Sequence, residues 1–242
     1  NKVIEQVDSK PVVPTKVYMN KAGMVGDVEA PIDVATDFYN LWLDAARNAV
    51  ETAKCMEKLG IHKQHINRIL EPFQFIKVIV TATEWYNFFA LRLAPDAQPE
   101  IRQLARVIYD EMDRYRNKEV GVLEVSIPRK DCPDIFARMG ADKVHTIVSL
   151  PYITDDDIKE IGKDNYRQLM KISAARCARV SYNNHDGSNP DLEKDMKLYD
   201  RLYEGRHLSP MEHACIQDPD YRKYANLNGW KSLRYLVENY LL

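Results

Sequence analysis

Val120–Ile127 reads V-G-V-L-E-V-S-I and Val144–Leu150 reads V-H-T-I-V-S-L. Both are short runs rich in Val and Ile, the pattern of a β-strand. They decide the fold class, because most of the chain before them repeats apolar residues at helical spacing. The expectation is α+β, helix-dominated, with a small sheet.

On the N-terminal side, Val34, Phe38, Leu41, Ala45, Ala49, Ala53 and Met56 fall mostly three or four apart. That period predicts a helix from Ile32 with one buried face, ended by Gly60. A second helical stretch begins near His62, and Pro72 closes or kinks it. Phe73–Leu91 is apolar and aromatic, and it reads as a helix buried on most sides although its β-branched residues would suit a strand. Asp96–Tyr115 is amphipathic, with Ile101, Leu104, Ala105, Ile108 and Met112 on one face. The first 32 residues contain P-V-V-P and show little period, so they read as an extended segment that needs a partner surface.

On the C-terminal side, Asp155–Met170 reads as a helix and Ala174–Tyr182 as a short one. Asp186-Gly187 is a turn, Leu192–Tyr203 an amphipathic helix, and Gly229–Leu242 a final helix. The change of texture near residue 116 is a weak boundary inside what reads as a single domain, 1–242.

Composition bounds the function. A content of 45 % hydrophobic and 29 % charged residues is that of a soluble globular chain, and a formal charge of -2 gives no general case for a nucleic-acid polymer as partner. No apolar run is long enough to span a membrane. Cys55, Cys132, Cys177 and Cys215 are scattered without a CxxC pair, which reads as reduced thiols in a cytoplasmic protein with no metal site. GxGxxG after a strand, GxxxxGK[ST], HExxH and GxSxG are all absent, so a Rossmann fold, a P-loop NTPase, a zincin and an ordinary serine hydrolase lose support.

Four clusters carry chemistry. In G-R-H-L-S-P-M-E-H-A-C (Gly205–Cys215), Ser209, Pro210 and Glu212 are spaced as a capping box with proline at the first helical position. The box explains those three residues without a ligand; Arg206 and His207 ahead of it would suit an anionic group. In E-W-Y-N-F-F-A-L-R-L-A-P-D, Asn87 and Arg92 interrupt an apolar stretch. Either Asn87 caps or bonds to backbone and Arg92 pairs with Asp96 or Glu100, of which only Asp96 is a direct helical neighbour, or both face a planar heterocycle rich in amide and carbonyl groups. In H-K-Q-H-I-N-R, His62, His65 and Arg68 share one helical face, either a solvated basic face or, at Arg68, an inward-pointing phosphate or base contact. In A-A-R-C-A-R-V-S-Y, Ser181 follows two arginines, an anion nest or a plain turn.

Together these clusters resemble the flavin-dependent thymidylate synthases, in a divergent branch with permuted motif order. The resemblance is carried by Asn67–Pro72 (N-R-I-L-E-P), Asn87–Arg102 (N-F-F-A-L-R-L-A-P-D-A-Q-P-E-I-R), Ala178–Tyr182 (A-R-V-S-Y) and His207–His213 (H-L-S-P-M-E-H). It implies a flavin-dependent thymidylate synthase-like fold, a homotetramer with active sites shared between subunits, and conversion of dUMP to dTMP. Methylenetetrahydrofolate is the implied carbon donor, and FAD reduced by NADPH the reductant. Residue by residue, it implies that Arg92 holds the uracil ring and favours its ionised form. Arg68 would contact dUMP, Asn87 would lie at the flavin, Ser209 and His207 would touch or flank the FAD, and Ser181 would lie on the cofactor side.

Three departures go with it. A-R-V-S-Y and S-P-x-E-H follow the arginine-bearing helix instead of preceding it, and the family's R-H-R-x-x-S-x-N-x-x-S-x-R signature is not in this sequence; it is expected ahead of Asn1. Asp96 stands where the family usually has a histidine. The alternative functions are a flavin- or nucleotide-binding relative with another substrate, and a helical assembly protein without catalysis.

Overall fold

The computed structural model describes residues 1–22, 26, 28–115, 122–128, 143–180, 188–218, 220–239 and 241. Helices dominate, and a small antiparallel sheet and a two-stranded hairpin accompany them among the described residues, so the chain is α+β. It divides into two compact units, Asn1–Lys77 with Asn87–Met112, and Val78–Tyr86 with Asp113–Leu242.

The first unit is helical. α1 (Lys2–Ser9) is capped by Asn1, whose side chain accepts from the Val3 amide. The opening segment is therefore not simply extended: Ile4 and Val7, three apart, put one face of α1 into the core. There they meet Ala46, Val50 and Ala53 of α2 (Ile32–Lys58), together with Ile66, Leu70 and Phe73. Small alanines at 46 and 53 leave room for α1; of the predicted stripe, Ala53 is buried and Ala49 and Met56 pack against this core, while Val34 and Leu41 are exposed. Leu41 is 69 % exposed. Beyond α2, Gly60 adopts φ +75, a left-handed turn that glycine takes without a steric penalty.

The stretch after it is tighter than predicted. α3 (Lys63–Ile66) runs into a 3₁₀ helix, Asn67–Phe73, which contains Pro72. Trp42 locks this corner by donating its indole N–H to the Val12 carbonyl at 2.8 Å and meeting the Phe73 ring edge-on. The predicted buried helix over Phe73–Leu91 does not form. Only α4 (Tyr86–Arg92) is helical, and Phe75, Ile76, Val78 and Val80 are exposed. The β-branched residues win locally, because they lose side-chain freedom in a helix and tolerate extended backbone. α5 (Pro99–Tyr115) forms as the period requires, with Ala105 fully buried but Leu104 and Met112 exposed.

The second unit holds the sheet. β1 (Val122–Pro128) pairs antiparallel with β2 (Lys143–Ser149), with Leu123 opposite Val148. β2 pairs with β3 (Cys215–Gln217), and β3 with β6 (Trp230–Ser232). The predicted helix over Asp155–Met170 is two helices, α6 (Asp155–Ile161) and α7 (Tyr166–Ala178), because Gly162 turns the chain at φ +86. α7 absorbs the alanine-rich stretch and is buried almost all round, with Leu169, Met170, Ile172, Ala174 and Ala175 at 0 % exposure. α8 (Leu192–Glu204) is capped by Asp191. The predicted C-terminal helix shortens to α9 (Leu233–Glu238), since Trp230–Ser232 is spent on the sheet. A separate hairpin pairs β4 (Lys223–Tyr224) with β5 (Leu227–Asn228). The Asp186-Gly187 turn and Cys132 lie outside the described residues.

Candidate functional site

In the first unit, three predicted contacts are solvent-facing. Leu70, Ile66 and Phe73 anchor the 3₁₀ turn and leave Arg68 outward, with its side chain 72 % exposed and 3.7 Å from Glu71. The inward-pointing reading of Arg68 is thereby corrected: tight 3₁₀ winding gives the interior to its apolar neighbours. His62 is exposed and serves as the cap of α3, its Nδ1 accepting from the Gln64 amide at 3.3 Å.

Asn87 and Arg92 occupy the first and last turns of α4, and both are exposed. Their five-residue separation sets them about 140° apart around the helix, so they do not share a face. Asn87 is not in an apolar interior, and its amide has water available. The predicted Arg92–Asp96 pair is absent among the described residues, because α4 stops at Arg92 and leaves Asp96 in the following turn. Arg102 ties that turn down by donating to the Pro95 carbonyl at 2.8 Å.

The second unit holds His207 and Ser209, both exposed. After α8 the chain reverses at Arg206, which has φ +56, and the His207 amide donates to the Leu202 carbonyl at 2.8 Å. Ser209–Glu212 is a single 3₁₀ turn whose cap position is Leu208 and whose cap has no side-chain hydrogen bond. The predicted capping box is thus overturned. Met211, at 0 % exposure, pegs the turn into the core, and Glu212 pairs with Arg234 instead of reaching back to Ser209. A reciprocal box does form elsewhere, at the start of α6: Thr154 Oγ1 accepts from the Asp157 amide, and Asp157 accepts from the Thr154 amide at 2.8 Å.

The two arginines ahead of Ser181 face inward. Arg176 is fully buried and donates from Nε to Asp195 at 2.7 Å, from Nη2 to Asp157 at 2.9 Å, and from Nη1 to the Tyr152 carbonyl at 2.8 Å. Arg179 joins Asp195 from the other side. The anion they bind is the protein's own pair of carboxylates, not an outside ligand. Burial pushes the Asp157 carboxyl up, but hydrogen bonds from Arg176 and Thr154 outweigh it and hold the group below the usual carboxylate range. Ser181 and Tyr182 lie outside the described residues.

Sequence reading missed a cleft of about 760 Å³ in this unit, lined by Thr81, His213, Tyr224, Asn226, Arg234 and Tyr235 among others. His213 Nδ1 lies 2.9 Å from Thr81 Oγ1, and burial lowers its pKa below the ordinary histidine value. The available signal was the pair of histidines flanking S-P-M-E, of which only His213 is partly buried. No group of three or more His, Cys, Asp or Glu residues able to hold a metal occurs among the described residues, and no helix among them is long and apolar enough to cross a membrane.

Residues 6–115 match the family model described as thymidylate synthase complementing protein. The matched segment is just under half of the chain. It contains the motifs Asn67–Pro72 and Asn87–Arg102, while Ala178–Tyr182 and His207–His213 lie beyond it. No curated protein and no solved structure matches. Over residues 6–115 the chain is therefore similar to the thymidylate synthase complementing protein family, the flavin-dependent thymidylate synthase-like family that its motifs resemble.

Proposed function

We propose that the protein is a flavin-dependent thymidylate synthase, methylating dUMP to dTMP with methylenetetrahydrofolate as carbon donor. The observation that carries this reading is the family match over residues 6–115, which spans Arg68, Asn87 and Arg92 together. Their exposure supports it, since Arg92 has no carboxylate partner among the described residues and Arg68 only a distant one at 3.7 Å.

The donor set fits an anionic nucleotide. A guanidinium presents a planar fork of N–H donors suited to a pyrimidine edge or a phosphate. In the proposal Arg92 takes the polar edge of the uracil ring and stabilises its ionised form, which makes C5 electron-rich for attack on the methylene donor. Arg68 neutralises charge on the same nucleotide. By resemblance, Asn87, Ser209, His207 and Ser181 are assigned to the flavin. FAD, reduced by NADPH, supplies the redox chemistry when bound, and the chain's residues supply position and charge. The implied homotetramer with shared active sites and a cytoplasmic location belong to the same proposal.

Two measurements on the complete gene product test it. FAD titration followed by flavin absorbance should give saturable binding, and dTMP formation should require both NADPH and the folate donor. A product that neither binds FAD nor forms dTMP ends the proposal.

A further inference from the structure

Val78–Tyr86 is the one stretch of the second unit drawn from the middle of the first unit's sequence, and its attachment is unusual. None of its residues is buried, and Val78 and Val80 are 68 % and 63 % exposed. Apart from Tyr86, the first residue of α4, it forms neither helix nor strand. Its seat is a row of polar contacts to the β4–β5 hairpin and to His213. Asn226 Nδ2 donates to the Thr81 carbonyl at 2.7 Å, and the Asn228 amide donates to Thr83 Oγ1 at 2.7 Å. Lys223 pairs with Glu84 at 3.2 Å, Asn228 also bonds Glu84, and Thr81 Oγ1 meets His213 Nδ1. The backbone–backbone link from the segment to the hairpin, from the Thr83 amide to the Asn226 carbonyl, is long at 3.4 Å.

The hairpin that receives it is itself strained. Tyr224 pairs with Leu227, so Ala225 and Asn226 form a two-residue loop, and Ala225 takes φ +53, where glycine is the favoured residue. The same segment walls the cleft, with Ile79, Val80 and Thr81 on one side and Tyr224 to Leu227 facing them.

We propose that Val78–Tyr86 is a detachable strap, latched over the cleft by the side chains of Asn226 and Asn228, whose release opens the cleft without unfolding the sheet. Exposed hydrogen bonds with little apolar burial define the segments that open at low free energy, whereas the sheet opens only with the core. Release removes one wall of the cleft and leaves the β2–β3 pairing intact, because no strap residue belongs to that pairing.

Amide hydrogen exchange on the complete gene product tests this directly. The Thr83 and Asn228 amides, which are bonded across the latch, are expected to exchange at least about a hundredfold faster than the amides of Thr146–Ser149 and Cys215–Gln217, the contrast between local and global opening. Asn226→Ala, at an exposed loop position, is expected to speed exchange of the Thr83 and Asn228 amides by about tenfold while leaving the sheet amides unchanged, since it deletes a hydrogen bond that holds the strap on the hairpin. Asn228→Ala, which keeps its backbone bond to Thr83 but loses Glu84, should give a smaller acceleration. Latch amides as protected as the sheet, or latch and sheet amides accelerated together by Asn226→Ala, would overturn the proposal.

Discussion

Arg176 and Asp195 form an ion pair with no access to water: both side chains are 0 % exposed, and Nε lies 2.7 Å from the carboxylate. With Asp157 on its other edge, Arg176 ties α6, α7 and α8 into one body. Removing one partner from such a group strands a buried charge, which costs about 3–5 kcal/mol. Arg176→Met should therefore lower stability by that amount, read as a fall in the denaturant midpoint with the folded signal otherwise retained. A change under about 1 kcal/mol, the range of exposed ion pairs, would contradict this account of the core.

Two buried carboxylates in separate ion-pair networks set the acid limit. Asp157 and Asp218 are both partly or wholly withdrawn from water, and burial alone would raise both. Hydrogen bonds from Arg176 and Thr154 to Asp157, and from Arg222 and Lys231 to Asp218, win and hold both below the ordinary carboxylate value of 3.8. A carboxyl whose folded pKa is depressed contributes its full stability above the unfolded value and loses it as pH falls through the folded value. Stability should thus be flat in this respect above the ordinary value and drop on acidification below it. Asp157→Asn should be less stable than the parent at neutral pH and show a shallower acid drop, measured by thermal unfolding across pH.

Thiol reactivity should separate the described cysteines. Burial pushes Cys177 and Cys215 up to about 12, whereas Cys55 is exposed on α2. Only the thiolate attacks, so native protein treated with a thiol reagent should label Cys55 quickly and the other two only on unfolding. Mass spectrometry of the labelled peptides reads this out.

Arg92→Ala tests the substrate assignment. Arg92 is exposed and outside both cores, so the unfolding midpoint should move by no more than about 0.5 kcal/mol in stability. Loss of a donor that stabilises developing charge should cut turnover by about a hundredfold or more. Near-normal dTMP formation would remove Arg92 from the site.

The sequence was most legible where one physical signal acted alone. α2 and α8 are long and amphipathic, and β1 and β2 are β-branched runs between breakers, so their existence follows from period and residue type. Phe73–Leu91 was misread because apolarity says nothing about exposure; extended backbone and solvent-facing valines give the same composition as a buried helix. Arg176 escaped because its partners Asp157 and Asp195 stand 19 residues to either side, a pairing that only the fold creates. Ser209 shows the opposite failure: a correct cap spacing yielded a 3₁₀ turn, because Met211 had a core position to fill and Glu212 a cation in Arg234. The family motifs around Arg68 and Arg92 were readable as text, while the outward direction of their side chains was not.

The central claim rests on catalysis. The direct measurement is dTMP formation from dUMP by the purified complete gene product, with FAD, NADPH and methylenetetrahydrofolate supplied together and omitted one at a time. The account predicts dTMP with all three supplied, none when NADPH or the folate donor is left out, and none without FAD once bound flavin has been removed. Absence of dTMP from a folded, flavin-saturated protein, or methylation that proceeds without the reductant, would contradict it.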